Sequence, residues 1–477
     1  MSSSPQLLTN GRASGDGRFH YDALVIGAGQ AGGPLAAALA EAGRRVALIE
    51  KRHLGGTCVN VGCTPTKAMV ASAAAAHLAR RGDEFGIDIA SVGVDMARVR
   101  RRKQAIVTDF REGIPSSYNQ LECLDLICGH ARFAQPRSVE INTAAGTLRV
   151  NAENVFIDVG SRPVELAVPG MAAAQPLDST SIMELDRVPA HLLVVGGGYV
   201  GVEFAQMFRR FGSEVTILQR ADQLLPREDR DIATTLEAIL VEDGIDVITE
   251  ADVFSANRDD AELELIADVN GAERRISGSD LLVATGRRPN TDDLGLDKAG
   301  VDVDGHGFIV VDEELRTSAD GVWALGDVKG GPAFTHISFD DFRVVRDHLL
   351  GSGHRSTNDR YIPYTVYTDP QLGRVGMSER EAESAGRRVV VASMPAKRVA
   401  RSIETGNTGG LWKALIDPDS EKILGAAILG QEGGEIMSVF QVAMMGGLSY
   451  KQLRDGVFAH PTYAEGLNNL FADIDLG

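Results

Sequence analysis

The stretch Tyr21-Asp22-Ala23-Leu24-Val25-Ile26-Gly27-Ala28-Gly29-Gln30-Ala31-Gly32 decides the fold. An apolar run enters a glycine turn, and an alanine-rich segment follows to Gly43. Val46-Ala47-Leu48-Ile49 then forms a second apolar run that ends at Glu50. The order is strand, turn, helix, strand, acid. Gly27, Gly29 and Gly32 permit a tight turn and let the backbone approach a pyrophosphate at the helix N-terminus. Glu50 lies 23 residues after Gly27, where an acid accepts a hydrogen bond from a ribose hydroxyl.

The pattern occurs twice. Leu192-Leu193-Val194-Val195 leads into Gly196-Gly197-Gly198-Tyr199-Val200-Gly201, and Val215-Thr216-Ile217-Leu218 ends at Gln219. Gly196 and Gln219 are again 23 residues apart. One glycine fingerprint is a weak signal, but two in the same strand context make a strong one. The copies differ in charge. Gln219 carries no negative charge, Arg220 follows it, and Arg227 lies seven residues beyond Arg220. Cations here suit a 2′-phosphate, so the second turn is expected to prefer NADPH over NADH, with NADH still usable.

Length and composition bound the rest. The 477 residues carry 48 Lys plus Arg against 66 Asp plus Glu, a formal net charge of −18. So acidic a surface repels phosphate backbones and anionic lipid, which argues against a nucleic-acid or membrane-surface partner. No run approaches the roughly 18 apolar residues of a membrane span. The chain has four cysteines, too few for a disulfide scaffold of this size, which points to a reducing cytoplasm. Residues 1–20 read as a flexible leader. The run Arg98-Val99-Arg100-Arg101-Arg102-Lys103 reads as a solvated helix face.

Two of the cysteines lie in Gly55-Gly56-Thr57-Cys58-Val59-Asn60-Val61-Gly62-Cys63-Thr64-Pro65-Thr66-Lys67. An alanine-rich helical stretch starts at Ala68, so Cys63 falls near a helix N-terminus, where a thiolate is stabilised. Lys67 is one turn further along the same face. A zinc site would need a second ligand pair, and a structural disulfide across so short a loop adds little. A redox dithiol beside a cofactor is the reading preferred over both. Cys123 and Cys128 sit in an apolar run and read as buried strand cysteines. No metal site is expected.

The segment GGTCVNVGCTPTK resembles the active-site motif of the class I pyridine nucleotide–disulfide oxidoreductases. That family includes dihydrolipoamide dehydrogenase, glutathione reductase and mercuric reductase. Ala284 to Asn290 and Thr317 to Asp327 resemble two further family segments, and His460-Pro461-Thr462-Tyr463-Ala464-Glu465 resembles a C-terminal one. The resemblance implies an α/β fold with two Rossmann-type dinucleotide-binding domains and a C-terminal α+β dimerisation domain. The implied segments are FAD-binding at 21–160 and 289–360, NAD(P)-binding at 161–288, and dimerisation at 361–477.

It further implies electron flow from NADPH through FAD to a Cys58–Cys63 redox disulfide. Cys63 would be the flavin-side thiolate and Cys58 the thiol that attacks substrate. Gly56, Thr57, Asp327 and His336 would contact FAD. Gly198, Tyr199 and Gly286 would line the nicotinamide nucleotide, with Tyr199 as a gate. Lys67 would pair with Glu203. His460 and Glu465 would move the thiol proton, reaching the active site of the other subunit in a homodimer. The substrate would be a small disulfide or another thiol-reactive molecule.

Mercuric reductase-type metal reduction and dihydrolipoamide dehydrogenase are the alternatives. No cysteine follows Cys128, and a histidine stands at 460 where mercuric reductases usually have tyrosine. A non-catalytic flavoprotein scaffold and a metal-sequestering protein are readings from other classes.

Overall fold

The computed structural model describes residues 19–475 apart from 260, 261 and 359, and the side chains of 115 and 116. The leader expected over residues 1–20 lies, up to residue 18, outside the described residues, and Phe19 already belongs to the first strand. The contacts divide the chain into two units. One comprises residues up to 68, 101–164 and 287–360; the other comprises 69–100, 165–286 and 361 onward.

The first unit is built on strands β1 (Phe19–Ile26), β2 (Val46–Glu50), β3 (Leu124–Cys128), β4 (His130–Gln135), β5 (Ser138–Thr143) and β6 (Gly146–Ile157). They lie in the order β3-β2-β1-β6-β5-β4, and Val322–Ala324 adds a further strand on β6. The β3-β2-β1-β6 core is parallel, while β5 pairs antiparallel with β4 and β6. Leu24, Val25, Leu48 and Phe156 are fully buried, as expected of parallel strands covered on both faces. Helix α1 (Gly32–Glu41) buries Leu35, Ala36 and Leu39 and follows the first glycine turn directly. Helices α2 (Gly56–Val61), α3 (Cys63–Arg80) and α4 (Met96–Tyr118) come next in sequence.

The second unit repeats the core. Strands β7 (His191–Val195), β8 (Glu214–Leu218), β9 (Ile245–Ile248) and β10 (Asp280–Val283) lie parallel in the order β9-β8-β7-β10. Helix α5 (Tyr199–Phe211) follows the second glycine turn. An antiparallel sheet of Ala251–Asp259, Glu262–Val269 and Ala272–Gly278 is added to it. The C-terminal part contains β11 (Tyr364–Val366), β12 (Gln371–Gly376), β13 (Val390–Pro395), β14 (Leu411–Ile416) and β15 (Ile423–Gly430). These form one antiparallel sheet in the order β11-β12-β15-β14-β13. The fold is thus mixed α/β, with parallel cores and antiparallel additions, as the sequence leads one to expect.

Candidate active site

Both turns use glycine where nothing else fits. Gly27 has φ +104°, and a Cβ there would lie 2.2 Å from the Asp158 carbonyl oxygen. Gly196 has φ +108°, and its Cβ would lie 2.5 Å from the Ala284 carbonyl oxygen. Gly32 and Gly201 back onto the carbonyl oxygens of Gly27 and Gly196, at 2.3 and 1.8 Å for a Cβ. Asp158 and Ala284 follow β6 and β10, the crossover partners of β1 and β7.

The residue 23 positions after the first glycine of each turn is held in the same way. The Ala28 N–H donates to Glu50 Oε2 at 3.0 Å, and the Gly197 N–H donates to Gln219 Oε1 at 2.9 Å. Arg52 N–H also donates to Glu50 Oε1 at 2.8 Å, so the carboxylate is fixed beside the turn. That arrangement fits a ribose-binding acid in the first turn and a neutral acceptor in the second. Arg220 and Arg227 are both exposed, and neither side chain forms a hydrogen bond or ion pair among the described residues. Exposed, uncommitted cations of this kind fit a phosphate ligand.

The cysteine pair occupies the short α2 helix and the start of α3. Gly56 opens α2 with φ +61°, and its Cβ would come within 2.9 Å of the Gly29 Cα, so the cysteine segment packs directly on the first turn. Thr57 on the same helix is exposed. Cys63 is the first residue of α3, and both cysteines are free thiols. Cys63 Sγ lies 3.2 Å from Thr335 Oγ1, the first residue of helix α6 (Thr335–Leu350). The Cys63 thiol is pulled down to about 6, first by the hydrogen bond from Cys58, then by Thr335 and the Lys67 charge. Cys58 is pushed far up, because it donates that bond and because it is partly buried. The two groups are thus pushed apart, Cys63 toward thiolate and Cys58 toward thiol.

Asp327 lies in the 3-10 turn Gly326–Lys329, where Ser161 Oγ donates to its Oδ2 at 2.7 Å. Arg287 in turn donates to Ser161 Oγ at 2.8 Å. His336 is exposed and stacks on Phe334, with ring centroids 5.5 Å apart. Its neighbour Thr335, rather than His336, reaches the cysteine.

In the second unit, Gly198 precedes α5 and Tyr199 is its first residue. The Tyr199 hydroxyl is 3.1 Å from both Glu228 Oε1 and the Tyr364 hydroxyl. Tyr364 also donates to Glu228, and Arg374 donates to Glu228 Oε2 at 3.1 Å. Burial and the Glu228 charge raise both phenols above their ordinary range, so they stay neutral. Glu203 is buried on α5 and accepts from the Tyr367 N–H at 2.7 Å. Lys67 belongs to the first unit and Glu203 to the second. Gly286, with φ +137°, follows β10. His460 Nδ1 is 2.8 Å from Glu465 Oε2, with the imidazole largely exposed and the carboxylate largely buried.

Two readings need correction. Cys128 ends β3 and is exposed, and Cys123 is only half-buried, so they are not buried strand cysteines. This strand is the outermost of its sheet, and its last side chain emerges there. The basic run lies on α4, but Lys103 is buried at 3% exposure rather than solvated. Arg100 and Arg102 spend their charge on the backbone carbonyls of Glu184 and Ala68. Among the described residues, the one cluster of metal-ligand type is Asp229, Asp231 and Glu379, and Lys413 Nζ already sits among them.

Sequence reasoning missed Tyr364, Glu228, Arg374 and Asp158, and it placed Thr335 only within a segment, Phe334-Thr335-His336, at the flavin edge and not at Cys63. One signal was available. Ile157-Asp158-Val159-Gly160-Ser161-Arg162-Pro163 and Val283-Ala284-Thr285-Gly286-Arg287-Arg288-Pro289 repeat each other in outline. Their ends also pair as a two-stranded ribbon.

Residues 21–341 match the family described as pyridine nucleotide-disulphide oxidoreductase, and residues 362–471 match its dimerisation domain. The chain is similar to the probable pyridine nucleotide-disulfide oxidoreductase RclA of Escherichia coli, with 40% identity over 95% of this chain and 99% of that protein. Mercuric reductase of Staphylococcus aureus is 32% identical over 94% of this chain and 81% of its own length. Dihydrolipoyl dehydrogenase of Geobacillus stearothermophilus is 32% identical over 94% of this chain and 95% of its own. A solved Cu(II) complex of the HOCl-induced flavoprotein disulfide reductase RclA from Escherichia coli superposes with a TM-score of 0.87. Its identity is 39%, covering 96% of this chain and all of that one. No described helix is long and apolar enough to cross a membrane.

Proposed function

The chain belongs to the pyridine nucleotide-disulphide oxidoreductase family, whose members are FAD-dependent and take electrons from NAD(P)H, and from that premise we propose that it is an NADPH-dependent disulfide reductase acting as a homodimer. The observation that carries this reading is the split dithiol. Cys63 is favoured as a thiolate first by the hydrogen bond from Cys58 and then by Thr335 and the Lys67 charge, while Cys58 keeps its proton.

In this reading, residues 21–160 and 289–360 form the FAD domain, 161–288 the NAD(P) domain, and 361–477 the dimerisation domain. Gly27, Gly29 and Gly32 would seat the FAD pyrophosphate, and Glu50 its ribose. Gly56, Thr57, Asp327 and His336 would bound the rest. FAD, when bound, supplies two-electron chemistry between a nicotinamide and sulfur. Gly196, Gly198, Gly201 and Gly286 would seat the nicotinamide nucleotide, with Arg220 and Arg227 on its 2′-phosphate. Tyr199 would close that seat, and Glu203 would set the charge opposite Lys67.

The residues then divide the sulfur chemistry. His460, oriented by Glu465, takes the Cys58 proton. The Cys58 sulfur attacks a substrate disulfide and forms a mixed disulfide, and the expelled sulfur receives the proton from His460. The Cys63 thiolate attacks the Cys58 sulfur, which closes the Cys58–Cys63 disulfide and releases the second sulfur as a thiolate, which takes its proton from solvent. The C-terminal match supports a dyad that serves the cysteine pair of the other subunit.

A second reading is metal-ion reduction. It is favoured by the Cu(II) complex of RclA and by the mercuric reductases among the relatives. Here Cys58 and Cys63 would be the soft ligands. Steady-state NADPH oxidation with lipoamide, glutathione disulfide, Cu(II) and Hg(II) separates the two. The disulfide reading expects turnover with at least one disulfide that falls strongly in His460→Ala. Turnover with metal ions alone, indifferent to His460→Ala, contradicts it.

A further inference from the structure

Asp158 is the feature that the reaction leaves unused. It follows β6, lies beneath the first glycine turn, and is buried at 7% exposure. Its Oδ2 accepts the Gly32 N–H at 2.7 Å, at the first residue of α1. A Cβ on Gly29 would fall 2.7 Å from the same oxygen, and a Cβ on Gly326 would fall 2.7 Å from Oδ1. The carboxyl therefore sits between the glycine turn and the turn that carries Asp327.

The groups facing it are mostly acidic. Glu50 comes from the end of β2, Asp327 from the 3-10 turn, and Asp341 from α6. Tyr118, at the end of α4, also feels its charge. The nearby cations are committed elsewhere. Lys329 and Arg360 pair with Asp341, and Arg287 lies 3.9 Å from Asp327. Among the described residues, no lysine, arginine or histidine pairs with Asp158. The second turn has Ala284 in the equivalent place and avoids the problem.

We propose that Asp158 is neutral when the first turn holds FAD, so that the protonation of this one carboxyl sets how tightly FAD is retained. The inference rests on the reading that the first turn is the FAD seat. The physical reason is simple: a pyrophosphate already carries negative charge, and a second buried anion beside it, with no cation, is strongly disfavoured. Burial first, and the three neighbouring acids after it, raise the Asp158 carboxyl well above the usual carboxylate range despite the Gly32 N–H. The sign follows. Retention is full while Asp158 is protonated and is lost as pH rises through its titration.

The test is FAD release from the holoenzyme, followed by recovery of flavin fluorescence on dilution between pH 6 and 10. Wild type should release FAD faster by up to about tenfold per pH unit as pH rises toward the Asp158 titration of the holoenzyme, and level off above it. Asp158→Asn keeps the acceptor for Gly32 and removes the charge, so its release should lack that rise. Identical slopes for the two proteins overturn the inference. Should Asp158→Asn not fold, the infrared spectrum of wild-type holoenzyme at pH 8 decides. A protonated-carboxyl band that shifts on FAD removal supports the inference, and its absence overturns it. Gly32→Ala distinguishes the two levels of the account. If folded Gly32→Ala keeps FAD, the seat reading fails. If it loses FAD while the slopes coincide, only the role of Asp158 fails.

Discussion

The two glycine turns share a backbone and differ in charge. In the first, the turn is surrounded by acids: Glu50 at its side, Asp158 beneath, and Asp327 and Asp341 beyond. In the second, the same positions hold Gln219 and Ala284, and Arg220 and Arg227 stand exposed nearby. The residue at the head of the helix differs too. Gln30 ties the first turn to the Gly55 carbonyl at 2.9 Å, whereas Tyr199 ties the second to Tyr364 and Glu228. On the proposed reading, the shared backbone fits one class of ligand, a dinucleotide, and the side chains around it distinguish which dinucleotide.

The largest expected effect comes from filling the turns. Gly32→Ala should abolish FAD retention, and Gly201→Ala should abolish nicotinamide-nucleotide binding while leaving FAD in place. Flavin absorbance of the purified variants, with nucleotide titration, checks both. Loss of FAD in Gly201→Ala would break the division of labour between the turns.

Charge comes next. A hydrogen bond to a charged group contributes roughly 1.5–3 kcal/mol, so Arg220→Gln should raise the KM for NADPH by about 10- to 100-fold. The KM for NADH should stay where it is. Arg227→Gln should act in the same direction. An equal change for both nucleotides would remove the phosphate argument.

A smaller effect belongs to the thiolate beside the first turn. Cys63 titrates at about 6, so its alkylation should already be near its plateau at neutral pH and should fall as pH drops through 6. Thr335→Val removes a hydrogen bond worth about 1.5 kcal/mol, which moves that titration up by about one pH unit. An unmoved alkylation profile would show that Thr335 does not stabilise the thiolate.

The smallest effect sharpens the second turn. Tyr364→Phe removes one of the bonds that hold Tyr199, the proposed cover of the nucleotide seat. At about 1 kcal/mol, the KM for NADPH should fall by up to about fivefold, with FAD retention unchanged. A rise in KM would mean that Tyr199 supports the nucleotide rather than blocks it.

The parallel cores were legible because their signals are local. Leu24-Val25-Ile26 and Leu192 to Val195 are short apolar runs closed by glycine, and the spacing to Glu50 and Gln219 is fixed by one strand–helix–strand unit. Cys58 and Cys63 were legible because flanking glycine, proline and lysine mark a helix start. The contacts that sequence reasoning missed are made by residues brought in from far along the chain. Thr335 lies 272 residues from Cys63, Tyr364 lies 165 from Tyr199, and Asp158 lies 126 from Gly32. No periodicity connects such pairs; only the packed fold does. Lys103 escaped for another reason, since a charge run on a helix gives no sign of which member turns inward.

The central claim is that electrons from a nicotinamide nucleotide arrive at the Cys58–Cys63 pair. The most direct measurement is to oxidise the holoenzyme, add one equivalent of NADPH without oxygen, trap thiols by alkylation and locate them by mass spectrometry. The account predicts two new thiols per NADPH consumed, at Cys58 and Cys63, with Cys123 and Cys128 unchanged by the addition. NADPH oxidation with no new thiol at Cys58 and Cys63 would contradict it.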